Sequence, residues 1–202
     1  MRLIITGSTP GYYPGQKDII IEIYYNPKSE QIYGAEIYGE KGVDKRIDVL
    51  STAIYAKLKM SDLQHLDLAY APPYAPAKDP VIVNGFVSSN AFNENYTEIS
   101  MEELLEDIEN NKDIQLIDVR ALNELKDKGK LPNAIHIDLH DLRNKIDELD
   151  KNKETIVYCA RGLRGYVASR ILTHNGFKTV KNLSGGFTIW QMHNHESMIH
   201  EH

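Results

Sequence analysis

The sequence predicts two domains of mixed architecture: an N-terminal α+β domain with an antiparallel sheet, then an α/β domain with a parallel sheet flanked by helices. Three observations carry this prediction. The run "DIIIEIYYNPKSEQIYGAEIYG" reads as two strands around a turn, a β-hairpin. From Ile99 onward, apolar strand-like runs alternate with helical ones, the pattern of βαβ units. Between them "NAFNENY", Asn90 to Tyr96, is polar and patternless, so the seam belongs there, dividing residues 1–92 from 97–195.

The elements follow in order. Side chains of a strand alternate, so Ile19, Ile21, Ile23 and Tyr25 share one face. "NPKSEQ" is the turn and "IYGAEIYG" the returning strand. "GVDKRIDVLSTAIYAKL" is a helix, with Ile47, Leu50, Ile54 and Leu58 at steps of three and four. Ser61 and Gln64 have the spacing of a capping box opening a short helix, "SDLQHL". The prolines of "LAYAPPYAPAKDP" exclude a helix and predict an extended, rigid loop.

In the second half, Ser100 and Glu103 form another capping box ahead of "MEELLEDIENN", whose Leu104, Leu105 and Ile108 should face inward. "IQLIDV" is nearly all apolar, as in a strand buried on both faces. "NAIHIDL" is a second strand, and "DLRNKIDEL" a helix with Leu142, Ile146 and Leu149 in line. "TIVYC" is a third strand. "YVASRILTHNG" is a helix presenting Val167, Ala168, Ile171 and Leu172, stopped by Gly176. "TVKNLSGG" is a fourth strand and a turn. Open parallel sheets bind ligands beyond the carboxyl ends of their strands, and Asp118, Cys159 and Ser184 sit at such ends.

Composition narrows the function classes. The chain has 202 residues, 42% hydrophobic and 26% charged, with a formal net charge of −6. That charge argues against nucleic-acid or anionic-membrane partners. No apolar run approaches the ~18–20 residues of a membrane span, and "MRLIITGSTPGYYPG" is a poor signal peptide. A single cysteine forms no internal disulfide, so a cytoplasmic location is expected.

That cysteine, Cys159, opens the most informative stretch. Ala160, Arg161, Gly162, Leu163 and Arg164 separate it from a helix expected to start near Gly165. A short loop with glycine can turn several backbone N–H groups inward, and the helix adds its positive end. The result is a cup for an anion beside the sulfur, in which Ala160, Gly162, Leu163 and Gly165 would line the substrate. A helix N-terminus and arginine together favour the thiolate, the reactive form. The plain alternative is an inert buried thiol, which gains nothing from such neighbours. Cysteine phosphatases use a similar cup with five residues between cysteine and arginine. Here there are four, a smaller ring that suits a persulfide better than a phosphate, and Tyr158 stands where those phosphatases place histidine.

In their order and spacing, "LIDVR", "LPNAIHI", "IVYCARGLRG" and "NLSGGFTIW" resemble a rhodanese domain over about Ile99–Trp190. The resemblance implies sulfane-sulfur transfer through a cysteine persulfide held by the loop amides. It makes Cys159 the nucleophile, Arg164 the anion-binding residue and Arg161 its helper. Asp118 and Arg120 match the family's "DVR", where the carboxylate braces the site; the alternative is a solvated strand-end carboxylate. His136 reads as a structural strand residue. Gly165 replaces the serine or threonine of many relatives, removing a hydroxyl contact. The implied reaction is ping-pong, from a donor such as coenzyme A persulfide, polysulfide or thiosulfate to a thiol acceptor, with no metal.

"GYYPG", "GVDKRIDVLSTAI", "LAYAPPYAPAKDP" and "GFV" resemble the dimerisation domain of pyridine nucleotide–disulfide oxidoreductases, over about Leu3–Asn90. Within that family the likeness is to coenzyme A disulfide reductases that end in a rhodanese domain. It implies a homodimer in which Tyr12 and Tyr70 reach the partner's substrate site, against the alternative of simple interface packing. FAD, NAD(P)H and CoA are expected only for the full-length family enzyme. This sequence has no G-x-G-x-x-G loop and no second cysteine for disulfide reduction, so it reads as the tail of a larger enzyme. Two rivals stay open: a noncatalytic dimerisation and interaction module, and a cysteine phosphatase or arsenate reductase. The four histidines of "QMHNHESMIHEH" read as a frayed terminus rather than a metal site.

Overall fold

The structure, a computed structural model, describes the backbone of residues 1–93 and 96–200 and side chains as far as residue 194. The chain forms two compact units, Met1–Glu94 and Asn95–His202. The seam expected at Asn90–Tyr96 includes Glu94 and Asn95, which lie outside the described residues.

In the first unit, β1 (Arg2–Gly7), β2 (Asp18–Tyr25) and β3 (Ile32–Gly39) form an antiparallel sheet in chain order. Ile19, Ile21 and Ile23 are fully buried, in one cluster with Leu50 and Ala53 of α1 (Val43–Tyr55) and Val81 of α2 (Pro80–Phe92). Burial of each isoleucine contributes roughly 1.5–3 kcal/mol. The stripe expected on α1 is rotated. Ile47 and Ile54 are only half-buried, and Leu58 lies past the helix end. Arg46 takes the inner position, fully buried. Its Nε and Nη2 bond the Asp79 carboxylate at 3.0–3.3 Å, and Nη1 and Nη2 reach the Gly42 and Ser8 carbonyls at 2.9 Å. A charge can sit inside only when it is paired and hydrogen-bonded in this way.

The same Asp79 caps α2, accepting the Val81 N–H at 3.0 Å, with Pro80 as first helical residue. That Asp–Pro signature is a standard helix start; neither α2 nor β1 is among the elements the sequence pattern predicts. The Ser61–Gln64 capping box does not form. Residues Met60–His65 make a 3-10 turn in which the Asp62 carboxylate accepts the Lys59 N–H at 2.8 Å. Ser61 N–H donates to Glu30 instead, and Gln64 donates to Ser89.

The second unit runs β4 (Glu98–Ile99), α3 (Met101–Glu109), β5 (Ile114–Asp118), α4 (Leu122–Lys128), β6 (Ile135–His136), β7 (Glu154–Tyr158), α5 (Leu163–His174), β8 (Val180–Leu183) and α6 (Gly186–His200). The sheet is parallel throughout, in the order β4-β8-β7-β5-β6. Alternate residues feed two cores. Ile117 and Val157 face one with Leu172; Leu116 and Ile156 face the other with Leu104 and Leu183. Burial on both faces explains the unbroken apolar runs of β5 and β7. The Ser100–Glu103 capping box forms, at 3.2 and 2.9 Å. Ile108 is exposed, however, and Met101 takes the inner place beside Leu104. "DLRNKIDEL" is two 3-10 turns, Leu142–Asn144 and Ile146–Glu148, not one helix. A spacing of three and four fits either geometry, so Leu142, Ile146 and Leu149 are still buried. α5 begins at Leu163, two residues before the expected start, and its Val167 is exposed.

Candidate active site

Cys159 leaves the central strand β7 and enters the short turn before α5. It is 3% exposed and packs in the core cluster with Val157, Ala168 and Ile171. The Gly162 N–H points back at its sulfur, 3.1 Å from Sγ. Gly162 has φ +139°, a conformation that side-chain-bearing residues rarely adopt, and it caps α5.

The start of α6 holds the loop from the other side. Phe187 N–H donates to the Cys159 carbonyl at 2.8 Å, and the Thr188 N–H and hydroxyl donate to the Ala160 carbonyl at 3.0 and 2.9 Å. Across a trans peptide the C=O and N–H point oppositely, so the Ala160 and Arg161 amides point away from α6. A Cβ on Gly186 would lie 2.3 Å from the Cys159 carbonyl oxygen, so only glycine allows this approach.

Arg164 interacts electrostatically with the Cys159 sulfur and is held by Glu124 of α4, Nη1 at 2.5 Å and Nη2 at 2.8 Å. The Glu124 carboxylate raises the guanidinium above its ordinary value, and the sulfur adds to that. Reciprocally, Arg164 holds the Glu124 carboxyl below the usual carboxylate range, aided by the Ala121 N–H. Both side chains are about a third exposed, 36% and 29%. Glu124 was not legible from sequence, because its partner lies forty residues away.

Asp118 is fully buried, which excludes a solvated strand-end carboxylate. It is spent on Arg120, accepting from the backbone N–H at 3.0 Å and from Nε and Nη2 at 2.6–3.1 Å. Arg120 also donates to the Gly129 carbonyl and stacks 3.8 Å from the Phe187 ring centroid. His136 Nε2 donates to the Arg120 carbonyl at 2.8 Å, a structural contact. The pair therefore ties the end of β5 to the helix that clamps the thiol loop. Tyr158 accepts the Leu131 N–H at 3.1 Å, and burial pushes its phenol up.

The remaining residues sort by exposure. Arg161 and Leu163 are exposed, Leu163 at 77%, and Ala160 is half-buried. Gly165 is buried, and the space a side chain would need there is taken by Asn182, whose Oδ1 lies 2.0 Å from the ideal Cβ position. Tyr12 and Tyr70 meet on the first unit, both exposed, and their hydrogen bond raises the Tyr12 phenol. Ser184 follows β8, its N–H donating to the Ile99 carbonyl at 3.0 Å. Among the described residues no His/Cys/Asp/Glu group could hold a metal ion, and no helix is long and apolar enough to cross a membrane. The side chains of His195, His200 and His202 in the histidine tail lie outside the described residues.

Comparison with known proteins places this geometry. Residues 100–193 match the family model of the Rhodanese-like domain. Coenzyme A disulfide reductase of Staphylococcus aureus is 40% identical over 83 residues, 41% of this chain and 19% of that protein. The same enzyme of Staphylococcus haemolyticus is 40% identical over 81 residues, 40% of this chain and 18% of that protein. Reduced Bacillus anthracis CoADR-RHD superimposes with TM-score 0.86 at 41% identity, and an NAD-dependent persulfide reductase from A. fulgidus with TM-score 0.83 at 40%. Each covers 94% of this chain, which spans 33% of each of those structures. The chain thus spans about a fifth of the curated relatives and a third of the two solved ones.

Proposed function

We propose, from the premise that residues 100–193 are a rhodanese-like domain, that the chain is a sulfurtransferase working through a Cys159 persulfide. The observation that carries this reading is the Gly162 N–H aimed at Sγ from 3.1 Å, with the Arg164 guanidinium near enough to interact electrostatically with the same sulfur. An amide directed at a sulfur and a guanidinium charge nearby stabilise negative charge there.

The Cys159 thiolate attacks the terminal sulfane sulfur of a donor. The donor's S–S bond breaks, its remaining sulfur leaves with the electron pair, and Cys159 carries the new S–S bond. An acceptor thiolate then attacks the outer sulfur. The Cys159 S–S bond breaks, the acceptor departs as a persulfide, and the Cys159 thiolate returns. The exposed Arg161 and the Ala160–Leu163 rim would meet the donor, which we take to be coenzyme A persulfide, polysulfide or thiosulfate. Arg164 supplies positive charge as the outer sulfur arrives. Asp118 acts at one remove, through Arg120 and Phe187.

The first unit would serve as a dimerisation domain, with exposed Tyr12 and Tyr70 directed to a partner. The relatives named as reductases are longer, and this chain spans a third or less of each. Its sequence has no glycine-rich dinucleotide loop, so the residues present do not fit FAD or NAD(P)H, and no step runs through either.

The decisive test is mass spectrometry of the full chain and Cys159→Ser after treatment with thiosulfate or a persulfide donor. The wild type should gain the mass of one sulfur atom on Cys159 and pass it to a thiol or cyanide. The variant should do neither. A Cys159 left unmodified by every donor would overturn the reading.

A further inference from the structure

Asn182 on β8 has no part in the chemistry above, yet it backs the thiol loop directly. It is 1% exposed. Its Nδ2 donates to the Gly162 carbonyl at 3.2 Å and to the Tyr96 phenol oxygen at 2.7 Å. Tyr96 donates onward to Glu98 at 2.8 Å, and its ring meets Tyr166 edge-on at 5.2 Å. The amide orientation follows from its partners, because a carbonyl needs a donor. Oδ1 is then left buried without a hydrogen-bond partner, beside the missing Cβ of Gly165.

An unmade bond to a buried oxygen is destabilising. What the molecule retains for that cost is control of Gly162. This glycine holds an unusual backbone conformation and has no side chain to enforce it. Its carbonyl is gripped from two directions, by the Tyr166 N–H at 2.8 Å and by Asn182. Its own N–H is the donor to the Cys159 sulfur.

We propose that Asn182 is a positioning residue for the thiol: through the Gly162 carbonyl it aims the Gly162 N–H at Sγ, and Gly165 lacks a side chain so that Asn182 can reach. The proposal rests on the reading of Cys159 as nucleophile.

The test uses the full chain as Asn182→Ala, Gly165→Ala and the double variant. Two readouts are taken: alkylation of Cys159 by iodoacetamide, and kcat and KM for sulfur transfer. Asn182→Ala should slow alkylation and lower kcat by about tenfold to a hundredfold, with donor KM unchanged. Gly165→Ala should do the same, because its Cβ displaces Oδ1. In the double variant the losses should not multiply, since no amide remains to displace. Multiplying losses, or alkylation of Asn182→Ala at the wild-type rate, would overturn the proposal. If Asn182→Ala does not fold by circular dichroism, Tyr96→Phe carries the test: a smaller loss in the same direction supports it, and wild-type alkylation overturns it. Alkylation needs no sulfur donor, so failure of this inference is separable from failure of the transfer reaction.

Discussion

Among the described residues of the second unit, Asp118–Arg120 and Glu124–Arg164 are arginine–carboxylate pairs built from the same groups under different solvent. Asp118–Arg120 is sealed, its side chains 0% and 1% exposed. Glu124–Arg164 is half-open, at 29% and 36%. The sealed pair is held by backbone, carbonyl and aromatic ring, away from solvent. The open pair gives the carboxylate two N–H bonds and still keeps a cation near the sulfur. Solvent access therefore separates a brace from a working group better than residue type or position in a motif. Arg46–Asp79 in the first unit belongs with the sealed kind.

The comparison can be broken most forcefully by Asp118→Ala. That variant leaves Arg120 charged and buried with no counter-ion, a loss of about 3–5 kcal/mol in urea unfolding. A loss below about 1 kcal/mol would erase the distinction. Asp118→Leu with Arg120→Met should recover most of it, because paired apolar replacements of buried ions are commonly neutral. Arg164→Met should behave oppositely. Stability should stay within about 1 kcal/mol, while sulfur transfer falls roughly 10- to 100-fold through loss of charge-assisted contacts.

The smallest effect is in acid. Folding depresses the Glu124 carboxyl, so its contribution is fully present above the unfolded value of about 4.3 and disappears as pH drops through the lower folded value. The stability gap between wild type and Glu124→Gln should be on the order of a few tenths of a kcal/mol at neutral pH. It should close in strong acid and shrink with added salt. A gap that grew on acidification would reverse the sign.

Legibility from sequence followed the range of the interaction. Strands β2, β5 and β7, the Ser100–Glu103 box and the Cys159-to-Arg164 loop are written in neighbouring residues, and all could be read. Glu124, Asn182 and the buried Arg46 could not. Each acquires its role from a partner twenty to forty residues away, which only the topology supplies. Gly165 shows the limit well. The sequence exposes the absent hydroxyl, but only the structure shows an amide filling the gap. Helix α6 was hidden because two glycines ahead of "FTIW" read as a turn, whereas Gly186 is its first residue.

Gly186 also sets a timetable. The carbonyls of Cys159 and Ala160 find their donors on Phe187 and Thr188, which leave the ribosome after the loop does. Without residues 186–188 those two carbonyls would lose these donors. On the proposed function, the thiol loop would therefore take its working shape only once this later segment has docked.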